Sequence, residues 1–428
     1  MFGAEYDTWT TFKFAQFLNK HGIKSYQLKS SVNAGKQSFK PAAAYVVPLD
    51  QPQYRLIKSI FSFHTNPKDS IFYDISAWNI PQAYNLPFEA VATSTGISGD
   101  AFNPEQEPKG KIIGAEPTNS YIFKWETYLA PRALERLLKE NILVKVASKA
   151  FETLDGQKFD RGSILIPLGS INTDKAKVDR IINEITRNDG VDVYRVSTGD
   201  NKATDLGSSY FSVVTKPRIA ILTEDGVNSI SAGQVWHLLD TKYEIPATLL
   251  PVRALKQASL EKYNVLVIPA GSYQELDEKV AEKIQNWVGA GNTLIALENA
   301  SNWLVKNKLI QAEYNKDDAK AIGFNYENAQ LFSASREVPG SVFETKLDLT
   351  HPINYGYKTD RLPVFKDNEI IQLKAENIAA NYPAVYTKLP LLDGYAPKAF
   401  VKTLGDTPSL GIFGARRGRI IAFYNSTN

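Results

Sequence analysis

Few residues in this 428-residue chain have types and positions suited to chemistry. Three carboxylates stand just after short apolar runs: Glu224 and Asp225 follow Arg218-Ile219-Ala220-Ile221-Leu222, and Glu298 follows Thr293-Leu294-Ile295-Ala296-Leu297. Brought together at strand tips, such carboxylates could act as general acid and base. Asn299 adjoins Glu298, and Gly271 lies in Pro269-Ala270-Gly271-Ser272 after the run Val265-Leu266-Val267-Ile268. His351 opens the distinctive stretch His351-Pro352-Ile353-Asn354-Tyr355-Gly356-Tyr357. Gly271, Asn299 and His351 are candidate binding residues. Each also has a plainer reading. Glu298 and Asn299 could tie their turn to neighbouring amides, Glu224 and Asp225 could form a polar loop rim, and His351 could shape a turn.

Much chemistry is excluded at once. The chain has no cysteine, so it forms no disulfide, thiolate zinc site or cysteine nucleophile. Its four histidines, at 21, 64, 237 and 351, fall in no H-E-x-x-H or H-x-x-E pattern, so no zinc ligand set is visible. Net charge is +3 with lysines and arginines scattered among acids, which gives no basis for nucleic-acid binding. Arg416, Arg417 and Arg419 cluster at one turn, where a solvated hairpin tip accounts for them better than an anion site. No apolar run approaches the roughly 18 residues that span a bilayer, and residues 1–7 lack the pattern of a secretory signal.

The elements that position these residues read as α/β. The apolar runs at 218–222, 248–250, 265–268 and 293–297 do not alternate, and helical stripes (Val235, Leu238, Leu239; Val280, Ile284, Trp287) separate them. That pattern predicts a doubly wound, flavodoxin-like parallel sheet covered on both faces. Ligands of such sheets gather beyond the carboxyl ends of the strands, where Glu224, Gly271 and Glu298 fall. From about residue 340 the pattern turns to period-two strands, ending in a hairpin over 412–424.

The first half contains an internal repeat over about residues 10–65 and 128–190. Phe17-Leu18-Asn19-Lys20-His21, Ile23-Lys24-Ser25-Tyr26, Phe39 and Tyr45-Val46-Val47-Pro48-Leu49 parallel Leu137-Leu138-Lys139-Glu140-Asn141, Leu143-Val144-Lys145-Val146, Phe159 and Ile164-Leu165-Ile166-Pro167-Leu168. Each unit reads helix, strand, turn, strand, helix. With the loop-rich stretch 199–208 as a boundary, two α/β domains are expected, 1–212 and 213–428. Between the repeats, Asp69–Trp78 is aromatic and reads as a core helix stopped by Pro81, or else as a ligand-binding aromatic box with Tyr73, Trp78 and Tyr84.

The second half resembles the class I glutamine amidotransferase-like family. There the loop after the third strand helps form an oxyanion hole, a role that would fall to Gly271, and a cysteine sits at the sharp strand-to-helix turn. Glu298 stands at that position, so thiol acyl transfer is excluded. The stretches Tyr45–Arg55 and Lys68–Trp78, followed by such a domain, resemble the region after the catalytic domain in large bacterial zinc carboxypeptidases. The family's zinc ligands and catalytic glutamate belong to an upstream domain, so no catalytic residue carries over and zinc is expected only there. Met1, the only methionine, stands directly before a helical stripe, and the last strand meets Asn425–Asn428 where a covering helix is expected; both suit a piece of a longer protein.

The resemblance implies a non-catalytic accessory region. Its partner would be the upstream carboxypeptidase domain of the same polypeptide, its substrate contact only the parent's peptides, and its location periplasmic or secreted. Two alternatives stay open: a hydrolase or transferase using Glu298 with Glu224 or Asp225, and a small-molecule or glycan-binding module. The accessory reading expects an apolar docking patch on the surface.

Overall fold

The computed structural model describes residues 1–65, 75–116, 118–169, 174–202, 204–315, 325–368, 370–373 and 380–426. Its largest feature is a nine-stranded mixed sheet built entirely from the second half. Within this sheet the strands are β1 (Ile219–Thr223), β2 (Ala247–Pro251), β3 (Val265–Ile268), β4 (Thr293–Leu297), β5 (Ser341–Leu347), β6 (Arg361–Lys366), β7 (Ala380–Asp393), β8 (Pro408–Ala415) and β9 (Gly418–Phe423). Their spatial order is β2-β1-β3-β4-β9-β8-β7-β5-β6.

The first five in that order are mutually parallel. Counting β9 as the fifth, they follow the 2-1-3-4-5 order of doubly wound flavodoxin-like sheets. The absence of alternation has a direct cause. Ala220, Leu222, Leu266, Ile268, Leu294 and Ala296 pack against Val280, Ile284, Trp287 and Val288 of helix Glu278–Gly289 on one face. Ile219, Ile221, Val267 and Leu297 meet Val235 and Leu239 on the other. With both faces buried, every strand position favours an apolar residue. Gly291, at φ +117°, makes the turn from this helix into β4.

The added C-terminal strands join the same sheet: β9 pairs in parallel with β4 and antiparallel with β8, fusing both parts. Its residues show why, since Ile420 and Ala422 join the core on one face while Ile421 and Phe423 pack on the other.

In the first half, the two segments read as a repeat carry the same order of elements. Helix Thr8–Lys20, strand Tyr26–Leu28, hairpin Val32–Ala34/Gln37–Phe39, strand Tyr45–Val46 and helix Tyr54–Phe61 make the first. Helix Ala130–Lys139, strand Lys145–Ala147, hairpin Phe151–Glu152/Lys158–Phe159, strand Ile164–Pro167 and helix Lys175–Glu184 make the second. In each, the two main strands pair antiparallel. The first unit belongs to a three-stranded sheet and the second to a six-stranded one. They touch through Trp9, Phe12 and Leu129, with Phe102 and Tyr128 packed alongside.

The aromatic stretch is corrected. Residues 66–74, with Tyr73, lie outside the described part, but Ile75–Asn79 is not helical and Trp78 is 52% exposed. Pro81 does not stop a helix; it sits in the first turn of helix Ile80–Ala83, capped by the Asn79 side chain. Proline suits that place because a first-turn amide has no intrahelical acceptor. Among the described residues no helix is long and apolar enough to cross a membrane.

Candidate functional site

At the tips of the parallel strands, the turn after β4 is sharp and strained. Glu298 has φ +51°, a conformation costing a non-glycine residue about 1–2 kcal/mol. It is held by its N–H donating to Phe423 O at 2.7 Å and by Ser301 Oγ donating to its carbonyl at 2.6 Å. The half-buried carboxylate accepts a long hydrogen bond, 3.4 Å, from Asn368 Nδ2. Burial pushes this carboxyl above the usual range; Asp367 adds to the rise, while Lys366 and Asn368 oppose it.

Lys366, at the end of β6, is fully buried. Its ammonium donates to Asn368 Oδ1 at 2.6 Å and to the carbonyls of Ile370 at 2.8 Å and Tyr424 at 2.5 Å. A buried lysine is tolerated only with such partners. Sequence reading missed it, because one lysine at the end of an alternating strand looks like the start of a loop.

Gly271 closes the other side. A Cβ there would lie 2.6 Å from Gly226 O, so the loops after β3 and β1 are in direct backbone contact at this glycine. Its N–H donates to Asn299 Oδ1 at 2.7 Å.

Glu224 and Asp225 are not brought to Glu298. Both have positive φ, 62° and 28°, and turn to Arg253 beyond β2: Glu224 makes a 2.9 Å ion pair and Asp225 accepts the Arg253 N–H at 3.4 Å. The charged neighbours that shift Glu298 are Asp367 and Lys366. His351 is elsewhere again, accepting the Ile353 N–H on Nδ1 at 3.2 Å and so capping the turn Pro352–Asn354. Among the described residues no cluster of histidine, aspartate and glutamate could hold a metal ion.

A second concave region was not anticipated. A cleft of about 360 Å³ opens between the first half and the loop that follows β5, with Tyr6, Tyr84, Trp125, Tyr128, Tyr243 and Tyr357 in its wall. The His351 loop supplies Tyr357 and Lys358, and Lys358 is held by Asp160 at 2.6 Å and by Glu126. The tyrosines lie up to 351 positions apart in the chain, so no local signal could have joined them.

No protein-family model matches the sequence, and no curated protein is significantly similar to it. Solved structures with partial likeness include a β-galactosidase from Bacillus circulans sp. alkalophilus, 13% identical over 49% of this chain and 29% of that one, with a TM-score of 0.30. A glutamine amidotransferase from Thermotoga maritima is 10% identical over 50% of this chain and 76% of that one, with a TM-score of 0.31. An exo-β-1,4-mannosidase from an Opitutaceae bacterium is 11% identical over 49% and 31%, with a TM-score of 0.30. The chain spans under a third of the length of the β-galactosidase and the mannosidase.

Proposed function

We propose that this chain is the non-catalytic accessory region of a zinc metallocarboxypeptidase that removes C-terminal residues from peptides outside the cytoplasm. Its zinc domain would lie upstream on the same polypeptide and be its partner. Residues 1–212 would form one domain and residues 213–428 an amidotransferase-like one. The observation that carries the non-catalytic part is the occupied strand-tip site. The turn after β4 bears the Glu298 carboxylate where a thiol would act, and Asn299 consumes the Gly271 amide. The carboxypeptidase part rests on the sequence stretches Tyr45–Arg55 and Lys68–Trp78. Exposed apolar side chains near the edge of the parallel sheet, Ile230, Trp236 and Leu238 after β1 and Leu249 on β2, suit a docked partner.

The test is the mass of the natural gene product in its source cells, detected with an antibody against this chain. A band far above 47.6 kDa that carries carboxypeptidase activity is expected. A band at 47.6 kDa overturns the accessory reading. The second reading, a hydrolase or transferase, is favoured by the raised, strained Glu298 beside Lys366. It requires Glu298→Gln to abolish hydrolysis of simple amide or ester substrates by the intact chain.

A further inference from the structure

The aromatic cleft plays no part in the accessory reading, and its chemistry does not depend on an upstream domain. Five stretches distant in sequence build the cleft: Tyr6-Asp7, Tyr84, Trp125–Tyr128, Tyr243 and Tyr355–Lys358. Its volume of about 360 Å³ falls in the range of small-molecule sites, about 300–1,000 Å³.

The wall combines apolar faces with convergent hydroxyls. Tyr128 and Tyr243 pack ring to ring at 5.8 Å, and Tyr84 leans on Phe14 at 5.1 Å, so the rings have fixed positions. The hydroxyls of Tyr6, Tyr128, Tyr243 and Tyr357 make no hydrogen bond to a protein group among the described residues. A phenol both donates and accepts, so these groups match a ligand whose own groups do both. Burial raises the Tyr243 hydroxyl, and Tyr128, Tyr357 and Asp7 reinforce that rise, as expected of oxygens gathered in one place.

Among the described wall residues one cation, Lys358, stands against the carboxylates of Asp7 and Glu126. Lys358 is shared between Glu126 and Asp160, which leaves no free cation for an anionic ligand among the described wall residues. Asp7 is the N-cap of helix Thr8–Lys20, accepting Thr10 N–H at 3.1 Å and Thr10 Oγ at 2.6 Å, so it is committed too. The loop is preformed. Gly356, at φ +97°, lies so close that a Cβ would meet Trp125 O at 2.7 Å, and Asn354 Nδ2 donates to Asp348 O and Pro383 O at 3.0 and 2.8 Å. A site ordered before binding loses less entropy when a ligand arrives.

Apolar faces, amphoteric hydroxyls and a wall whose described residues offer no free cation disfavour an anion and suit an uncharged, polyhydroxylated ring. We infer that this cleft binds a neutral saccharide, with C–H faces against the rings of Trp125 and the tyrosines and hydroxyls bonded to Tyr6, Tyr128, Tyr243 and Tyr357.

The test titrates the intact chain, by calorimetry and tryptophan fluorescence, with glucose, galactose, mannose, N-acetylglucosamine and their β-linked trimers up to about 10 mM. Saturable binding by at least one is expected. Tyr243→Phe and Tyr357→Phe keep the rings and delete the hydroxyls, and each should weaken binding about 3- to 10-fold, the worth of one hydrogen bond. Unchanged circular dichroism in both variants would show that the fold survives. Absence of saturable binding across the sugars overturns the inference, as does unchanged affinity in both variants. Saturable binding of tetramethylammonium or inorganic phosphate in place of any sugar overturns it as well.

Discussion

Asn299 Oδ1 accepts the backbone N–H of Gly271 at 2.7 Å, joining the tips of β4 and β3. The bond ties the two loops to each other at the carboxyl ends of the strands. Asn299→Ala should therefore lower stability by about 1 kcal/mol in urea denaturation, the net worth of one such bond. Asn299→Asp keeps the acceptor and should fall within about 0.5 kcal/mol of the parent. Equal losses in both variants would contradict the assignment.

Glu298 should make stability fall as pH rises. Burial holds its carboxyl above the unfolded value of 4.5, so between those two values the folded protein binds the proton more tightly than the unfolded chain. Above the window the full penalty applies, and below it none does. Glu298→Gln is thus expected to raise the thermal midpoint at pH 8, with the gain shrinking as pH falls toward 4.5. A gain independent of pH would count against titration of Glu298.

His351 works in the opposite sense. Burial lowers its pKa, opposed by Asp348 and assisted by Arg419, so the unfolded chain takes up the proton first as pH falls below 6.5. Stability is lost over that descent. His351→Asn retains a capping acceptor for Ile353 without a titratable ring. Its thermal midpoint should drop less than the parent's between pH 7 and pH 5.

Asp393 anchors the aromatic stretch to the nine-stranded sheet. The carboxylate is fully buried and accepts the N–H groups of His64 at 2.5 Å, Trp78 at 2.9 Å and Asn79 at 3.0 Å. Asp393→Ala leaves all three donors without their acceptor and should cost about 3–5 kcal/mol in chemical denaturation. A cost below about 1 kcal/mol would mean that water replaces the carboxylate.

Some of this molecule was legible in its residues. The non-alternating runs at 218–222, 265–268 and 293–297 announce strands buried on both faces, because period and burial are local properties of the chain. The helix-strand-turn-strand-helix order of the two first-half segments could be read from their aligned apolar residues, while the hairpin that forms each turn could not. Glu298, Gly271 and Asn299 were placed correctly at strand tips, since the polar residue after a buried strand marks where the strand leaves the core.

Long-range pairing decided the rest. Period-two alternation identified β9 as a strand but could not show that it completes the parallel sheet beside β4, 125 residues away from Thr293 to Gly418. It was equally silent on Lys366, whose burial depends on carbonyls brought by Ile370 and Tyr424. Sequence placed Glu224 and Asp225 at the same end of the sheet as Glu298, whereas the order β2-β1-β3-β4 turned them toward Arg253. The aromatic cleft is the extreme case. Tyr6, Tyr128, Tyr243 and Tyr357 share no spacing, and only the packing of the first half against the segment before β2 and the loop after β5 brings them together, because loop closure over such distances is set by the whole core rather than by any local preference.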